Sequence, residues 1–212
     1  MKWMGTKLQS GGFEIMDYST HEIGQFLEAV ASTRVAPAGG SAAALTGAFG
    51  AALAEMAALH TRERGGDTDS GELTLARERL SRKRSVLLTL ATEDAQAIDA
   101  LFGAQTGDPD AGAVSRATGI PLSIAEACVT VLEEALDLAE LIDGSVRQDL
   151  HTALYLTVSA AWAAIRTVEP NLDLLEEGEI RTELEARADR AAERVSAAMD
   201  RFGETTGEDC FG

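Results

Sequence analysis

The sequence predicts an all-α fold, a single-domain bundle of about six helices around a Gly/Ala-rich central helix. Three observations carry this. Aromatic residues are only 5% of a chain that is 45% hydrophobic. Its core is therefore built mainly of Ala, Leu and Val, which suits close helix packing better than a sandwich of broad strands. Apolar residues recur at i, i+3, i+4 and i+7 through several long segments, and no segment alternates as a half-buried strand does. One run, "VAPAGGSAAALTGAFGAALAEMAAL", holds Gly, Ala or Ser at 15 of 21 positions between Ala38 and Ala58.

Each element follows in order. Residues 1–18 read as a flexible lead-in, without an apolar stretch of signal-peptide length. "STHEIGQFLEAVAS" starts the first helix, with Ser19 and Glu22 spaced as a capping box and Ile23, Phe26, Leu27 and Val30 on one stripe. "TRVAPAGG" breaks it. The Gly/Ala-rich helix covers about 40–60, and "TRERGGDTDSG" turns into a long helix over about 72–102. Asp108–Pro109 marks the next helix start, giving a short helix near 110–118. Gly119 and Pro121 interrupt it before a helix that reaches Ile142. The next helix runs from about Val146 to Val168 and is ended by Pro170. The last spans roughly 177–202, with Ile180, Leu184, Ala188, Ala191 and Val195 inward, so the domain covers 19–203 and a frayed tail 204–212.

Charge narrows the function. The 212-residue chain carries 35 acidic against 18 basic residues, a formal net charge of -17. Nucleic acid is excluded as a partner, because phosphate binding needs clustered cations. Only three of the basic residues are lysines (Lys2, Lys7, Lys83). An acidic surface with few lysines is expected of a protein working in high salt, where self-repulsion is screened. Two cysteines, Cys128 and Cys210, make no disulfide framework, and a reducing cytoplasm is the default. The three histidines have no metal-ligand spacing, so no metal site is expected.

The Gly/Ala run has the length of a membrane span, but Ala and Gly contribute little transfer energy. "PAGGS" before a helix could present a nest of N–H groups, yet it lacks the Lys of a phosphate loop and the full GxGxxG pattern. Gly39, Ala43, Gly47 and Ala51 recur every four residues, which points to close packing.

The motif "P-A-G-G-S-A-A-A-L-T-G-A-F-G-A-A-L-A-E-M" from Pro37 to Met56 resembles the cyclodeaminase/cyclohydrolase family. Downstream, "EDAQAID", "IPLSIAEACVTVLEEALDLAELI", "DGSVRQDL" and "AAIRTVEPNL" are similar to later family segments in the same order. The resemblance covers roughly residues 19–200. It implies a folate one-carbon substrate and the hydrolysis of 5,10-methenyltetrahydrofolate to 10-formyltetrahydrofolate, with no further cofactor. Formiminotetrahydrofolate cyclodeamination is the alternative within this chemistry. A non-catalytic helical homologue is the alternative outside it. A homodimer with sites between helices is also implied.

The resemblance places Asp94 and Asp149 on family carboxylates. Opening the methenyl ring needs a carboxylate to take a proton from attacking water and a negative pocket to hold the amidinium cation. Pro37, Gly39, Gly40 and Ser41 are implied as one wall of the pocket, the glycines letting the pterin approach the backbone. Asn171 is implied at a pterin edge. The family's Lys-rich segment stands here as "RERGGDTD", which leaves Arg62 and Arg64 as nearby cations, with Arg64 assigned to substrate.

Overall fold

The computed structural model describes residues 17–64, 70–102, 110–142 and 144–206. Six α-helices form one bundle: α1 (Ile23–Val30), α2 (Gly39–Arg64), α3 (Ser70–Phe102), α4 (Ala111–Ala139), α5 (Arg147–Leu172) and α6 (Glu179–Thr206). A 3-10 turn, Gly144–Val146, precedes α5. No strand occurs among the described residues. The all-α expectation holds. Much of the lead-in and tail (residues 1–16 and 207–212, with Cys210), together with Asp108–Pro109, lies outside the described residues.

The centre is α2, packed on α3, α5 and α4. Its small side chains let those neighbours come close. A methyl group on Gly50 would sit 3.0 Å from the Ala153 carbonyl and overlap the Thr157 hydroxyl of α5, and one on Gly47 would meet Cys128 Sγ of α4. α2 is long and apolar enough to cross a membrane. Its Ala43, Ala44, Ala51 and Ala54 are buried against the other helices. Leu80 and Leu87 of α3 with Leu122, Ile124 and Leu132 of α4 and Leu150 and Leu154 of α5 complete the core.

Three elements differ from the sequence expectation. The capping box does not form: Glu22 makes no side-chain cap, and the Ser19 hydroxyl and N–H both donate to Asp17 Oδ1. Competition from the nearer carboxylate explains this. α1 buries only Phe26 and Ala29, while Ile23 and Leu27 stand exposed. Tyr18 is packed rather than loose, with its ring edge-on to Phe26 and its N–H donating to Thr92 Oγ1.

The second and third differences are prolines carried inside helices. α4 begins after Asp110, whose side chain accepts from Ala113 N–H, and runs unbroken through Gly119 and Pro121. Pro121 has no N–H for the Ala117 carbonyl four residues earlier. Asn171 Nδ2 donates to that carbonyl instead, at 2.8 Å. Pro170 does not end α5, which continues to Leu172.

α6 runs parallel to α4 along a ladder of ion pairs. Arg187 forks onto Glu126, Arg194 onto Glu133, and Arg201 reaches Glu140 and Asp137. Both sets recur every seven residues, the repeat at which side chains of paired helices return to one seam. Of the expected inward residues of α6, Leu184, Ala191 and Val195 are buried, Ala188 is half-buried and Ile180 is exposed. Trp162 and Tyr155 are half-buried and pack on α6, the Trp162 indole against Met199 Sδ and Tyr155 edge-on to Phe202.

Candidate active site

The site grows from the first turn of α2. Ala36–Pro37 is a cis peptide, and α2 starts two residues later at Gly39. α3 runs antiparallel to α2 and brings Asp94 onto that first turn. Asp94 is 1% exposed, and its Oδ2 accepts from the Ser41 hydroxyl at 2.8 Å. Ser41 is itself fully buried. The carboxyl lies so near the backbone that a methyl group on Gly40 would sit 2.6 Å from Asp94 Cγ. Gly40 is thus required by the close approach of the Asp94 carboxyl. At Gly39 the corresponding space is bounded by the Thr167 methyl of α5.

Burial pushes the Asp94 carboxyl above its ordinary value, while the Ser41 hydroxyl and N–H oppose the shift. A carboxyl aimed at a helix N-terminus is also favoured by the helix dipole. These forces leave a buried acid that is held in place and more basic than a surface aspartate. Such a group is better suited to taking a proton than a surface carboxylate is.

Tyr18 and Arg34 belong to the same neighbourhood. Burial raises the Tyr18 phenol, the Arg34 guanidinium lowers it and the Asp94 carboxylate raises it. Neither residue stood out in the sequence. Tyr18 falls in the lead-in, and the only signal for Arg34 is a cation three residues before Pro37.

The remaining candidates lie elsewhere. Arg64 ends α2 and donates to Ser145 Oγ in the turn before α5, and Asp149 is half-buried in the first turn of α5. Ser41 and Arg64 are separated by most of α2, about 35 Å at the rise of an α-helix. Asp94 and Asp149 therefore do not meet within one chain. The sequence order carries no information on which end of the bundle each carboxylate occupies. Asn171 does lie toward the Ser41 end, since α5 brings Thr167 against Gly39, but its amide donates to Ala117. Through this bond Asn171 braces α4 against α5.

Cys128 is buried and free, its thiol pushed up to about 12 by burial, so it is inert. No group of three or more metal-ligating side chains occurs among the described residues. His60 is exposed and does not cap α2, which continues to Arg64, and His151 packs edge-on to Phe202.

The formiminotransferase-cyclodeaminase family model matches residues 22–190. Methenyltetrahydrofolate cyclohydrolase of Methylorubrum extorquens is 30% identical over 160 residues, 69% of this chain and 75% of that protein. The crystal structure of formiminotetrahydrofolate cyclodeaminase from Thermotoga maritima matches with a TM-score of 0.83 at 21% identity, over 89% of this chain and 97% of that one. That likeness speaks to fold alone. The extent of the family match and the relative's identity settle membership: the chain belongs to the formiminotransferase-cyclodeaminase family, whose chemistry is that of folate cyclohydrolases and cyclodeaminases.

Proposed function

We propose that the chain hydrolyses 5,10-methenyltetrahydrofolate to 10-formyltetrahydrofolate at the Ser41–Asp94 end of α2. The observation that carries this reading is the buried Asp94 carboxyl, anchored by Ser41 and raised by its surroundings. The substrate carbon lies between two nitrogens and shares their positive charge. Asp94 as carboxylate stabilises that cation and takes a proton from water as the water oxygen bonds to the carbon. The oxygen's second proton then leaves to solvent as the carbonyl forms and the bond from the carbon to one ring nitrogen breaks, and Asp94 passes the first proton to that nitrogen. Ser41 keeps the carboxylate in place. The name of the Methylorubrum relative supports the cyclohydrolase reaction. The match to the formiminotransferase-cyclodeaminase family keeps loss of ammonia from formiminotetrahydrofolate as the second reading.

Two copies pairing through α2 would complete the site. Ala42, Leu45, Phe49 and Met56 face outward at helical spacing, and Phe49 is 50% exposed. An antiparallel pairing along this uncharged stripe would carry Arg64 and Asp149 of one copy toward Ser41 and Asp94 of the other.

Loss of methenyltetrahydrofolate absorbance, followed near neutral pH in low and in molar salt, tests the reaction. No acceleration over buffer sinks the cyclohydrolase reading, and ammonia release from formiminotetrahydrofolate would move the assignment to the cyclodeaminase. Sedimentation tests the pairing: the wild type should be a dimer and Phe49→Glu a monomer, and a monomeric wild type overturns it.

A further inference from the structure

An acidic protein has to hold an acidic substrate somewhere. A groove of about 410 Å³ lies between α3, α4 and α6. Four cations line it, Lys83, Arg187, Arg190 and Arg194, against one carboxylate, Glu126. This is a local excess of positive charge on a chain of formal charge -17. Lys83 is the only lysine after residue 7. Arg187 and Arg194 are fixed in orientation by bidentate contacts to Glu126 and Glu133. Lys83 and Arg190 have no ion-pair partner among the described residues.

The remaining lining is largely apolar, with Val86 and Leu90 from α3 and Ala127 and Ala191 facing them. Leu90 lies one turn of α3 from Asp94, and Lys83 lies about 16 Å from Asp94 along the same helix. The groove therefore begins near the level of the buried carboxyl and becomes cationic away from it. That gradient fits an elongated ligand with a reactive ring at one end, an apolar middle and carboxylates at the other.

We propose that this groove binds the glutamyl tail of the folate substrate, its carboxylates meeting Lys83 and Arg190. The inference rests on the folate reading above and adds the place where the anionic end docks. Two cations without an ion-pair partner among the described residues, at a partly exposed groove, set a modest affinity that falls as salt rises.

The test has two arms. In kinetics, KM for a triglutamylated methenyltetrahydrofolate should be about 3- to 10-fold below that for the monoglutamate in wild type, and the Lys83→Gln/Arg190→Gln variant should lose this preference. A preference that survives in the variant, or none in wild type, overturns the assignment. In calorimetry, γ-linked triglutamate alone should bind wild type at least about 3-fold more tightly than the variant, and the difference should shrink in molar salt. Equal affinities, or no binding to wild type, overturn the groove as a carboxylate site. This arm needs no turnover, so failure of the groove and failure of the hydrolase reading are told apart.

Discussion

Asn171 donates its side-chain amide to the Ala117 carbonyl, the acceptor that Pro121 leaves without a helical partner. One hydrogen bond thus lets a proline sit inside α4 and ties α4 to α5. Removing the donor strands a buried carbonyl. Asn171→Ala should lower stability by about 1–3 kcal/mol in denaturant titrations. In a Pro121→Ala background, which restores an N–H to Ala117, the same substitution should cost about 1 kcal/mol less. Equal costs in both backgrounds would show that the bond does not compensate for the proline. A raised KM with unchanged stability would return Asn171 to the substrate.

Asp94 should trade stability for activity. Its folded pKa is raised above the ordinary 3.8, so the folded protein holds the proton more tightly than the unfolded chain. Stability contributed by this group therefore falls as pH rises from 3.8 through the raised value, and above it the buried carboxylate is a cost. Asp94→Asn should melt higher than wild type at pH 7, with the gain shrinking as pH falls toward 3.8. Its kcat should drop by about 10²–10⁴. A lower melting temperature at neutral pH would mean that Ser41 and the helix terminus outweigh desolvation.

Two glycines in helices should respond in opposite directions. At Gly40 an added methyl meets the Asp94 carboxyl, so Gly40→Ala should cost about 1–3 kcal/mol and most of the activity. At Gly119 an added methyl meets nothing within 4 Å. Gly119→Ala should stabilise by about 0.5–1 kcal/mol with turnover intact. Thermal melts and a fixed-substrate rate on the two variants distinguish the sites. Similar penalties at both would remove the argument from close approach.

The α4–α6 ladder should matter in dilute buffer and fade in brine. Each of its pairs is partly exposed, which limits it to about 0.2–1 kcal/mol. Arg187→Gln/Arg194→Gln/Arg201→Gln should lose about 1–2 kcal/mol at 0.1 M salt and clearly less at 1 M. A loss independent of salt would point to packing by the arginine stems instead.

Helices with strong periodicity were legible: α2 and α3 lie within a few residues of where spacing puts them. The prolines misled because the rule for Pro121 is local while its remedy, Asn171, is 50 residues away. The site was half legible. Gly40, Ser41 and Asp94 meet, because their motif forms one helix start and the partner helix that covers it. Asp149 and Arg64 fall at the other end, because a motif order fixes neither helix direction nor depth in a bundle. Tyr18 and Arg34 carry little signal in the sequence, because residues outside the helices have no period to mark them.

The ladder between α4 and α6 also fixes where the chain tolerates a change of length. Glu126, Glu133 and Glu140 each lie 61 positions before their arginine. An insertion in the connection after Leu172 changes that offset and leaves all three rungs matched, since both helices keep their own spacing. A one-residue deletion inside either helix rotates everything beyond it by about 100° and dismantles the rungs on one side of the cut. Length variants placed at 173–178 should therefore be accepted, while those placed between rungs should be rejected unless they come in sevens.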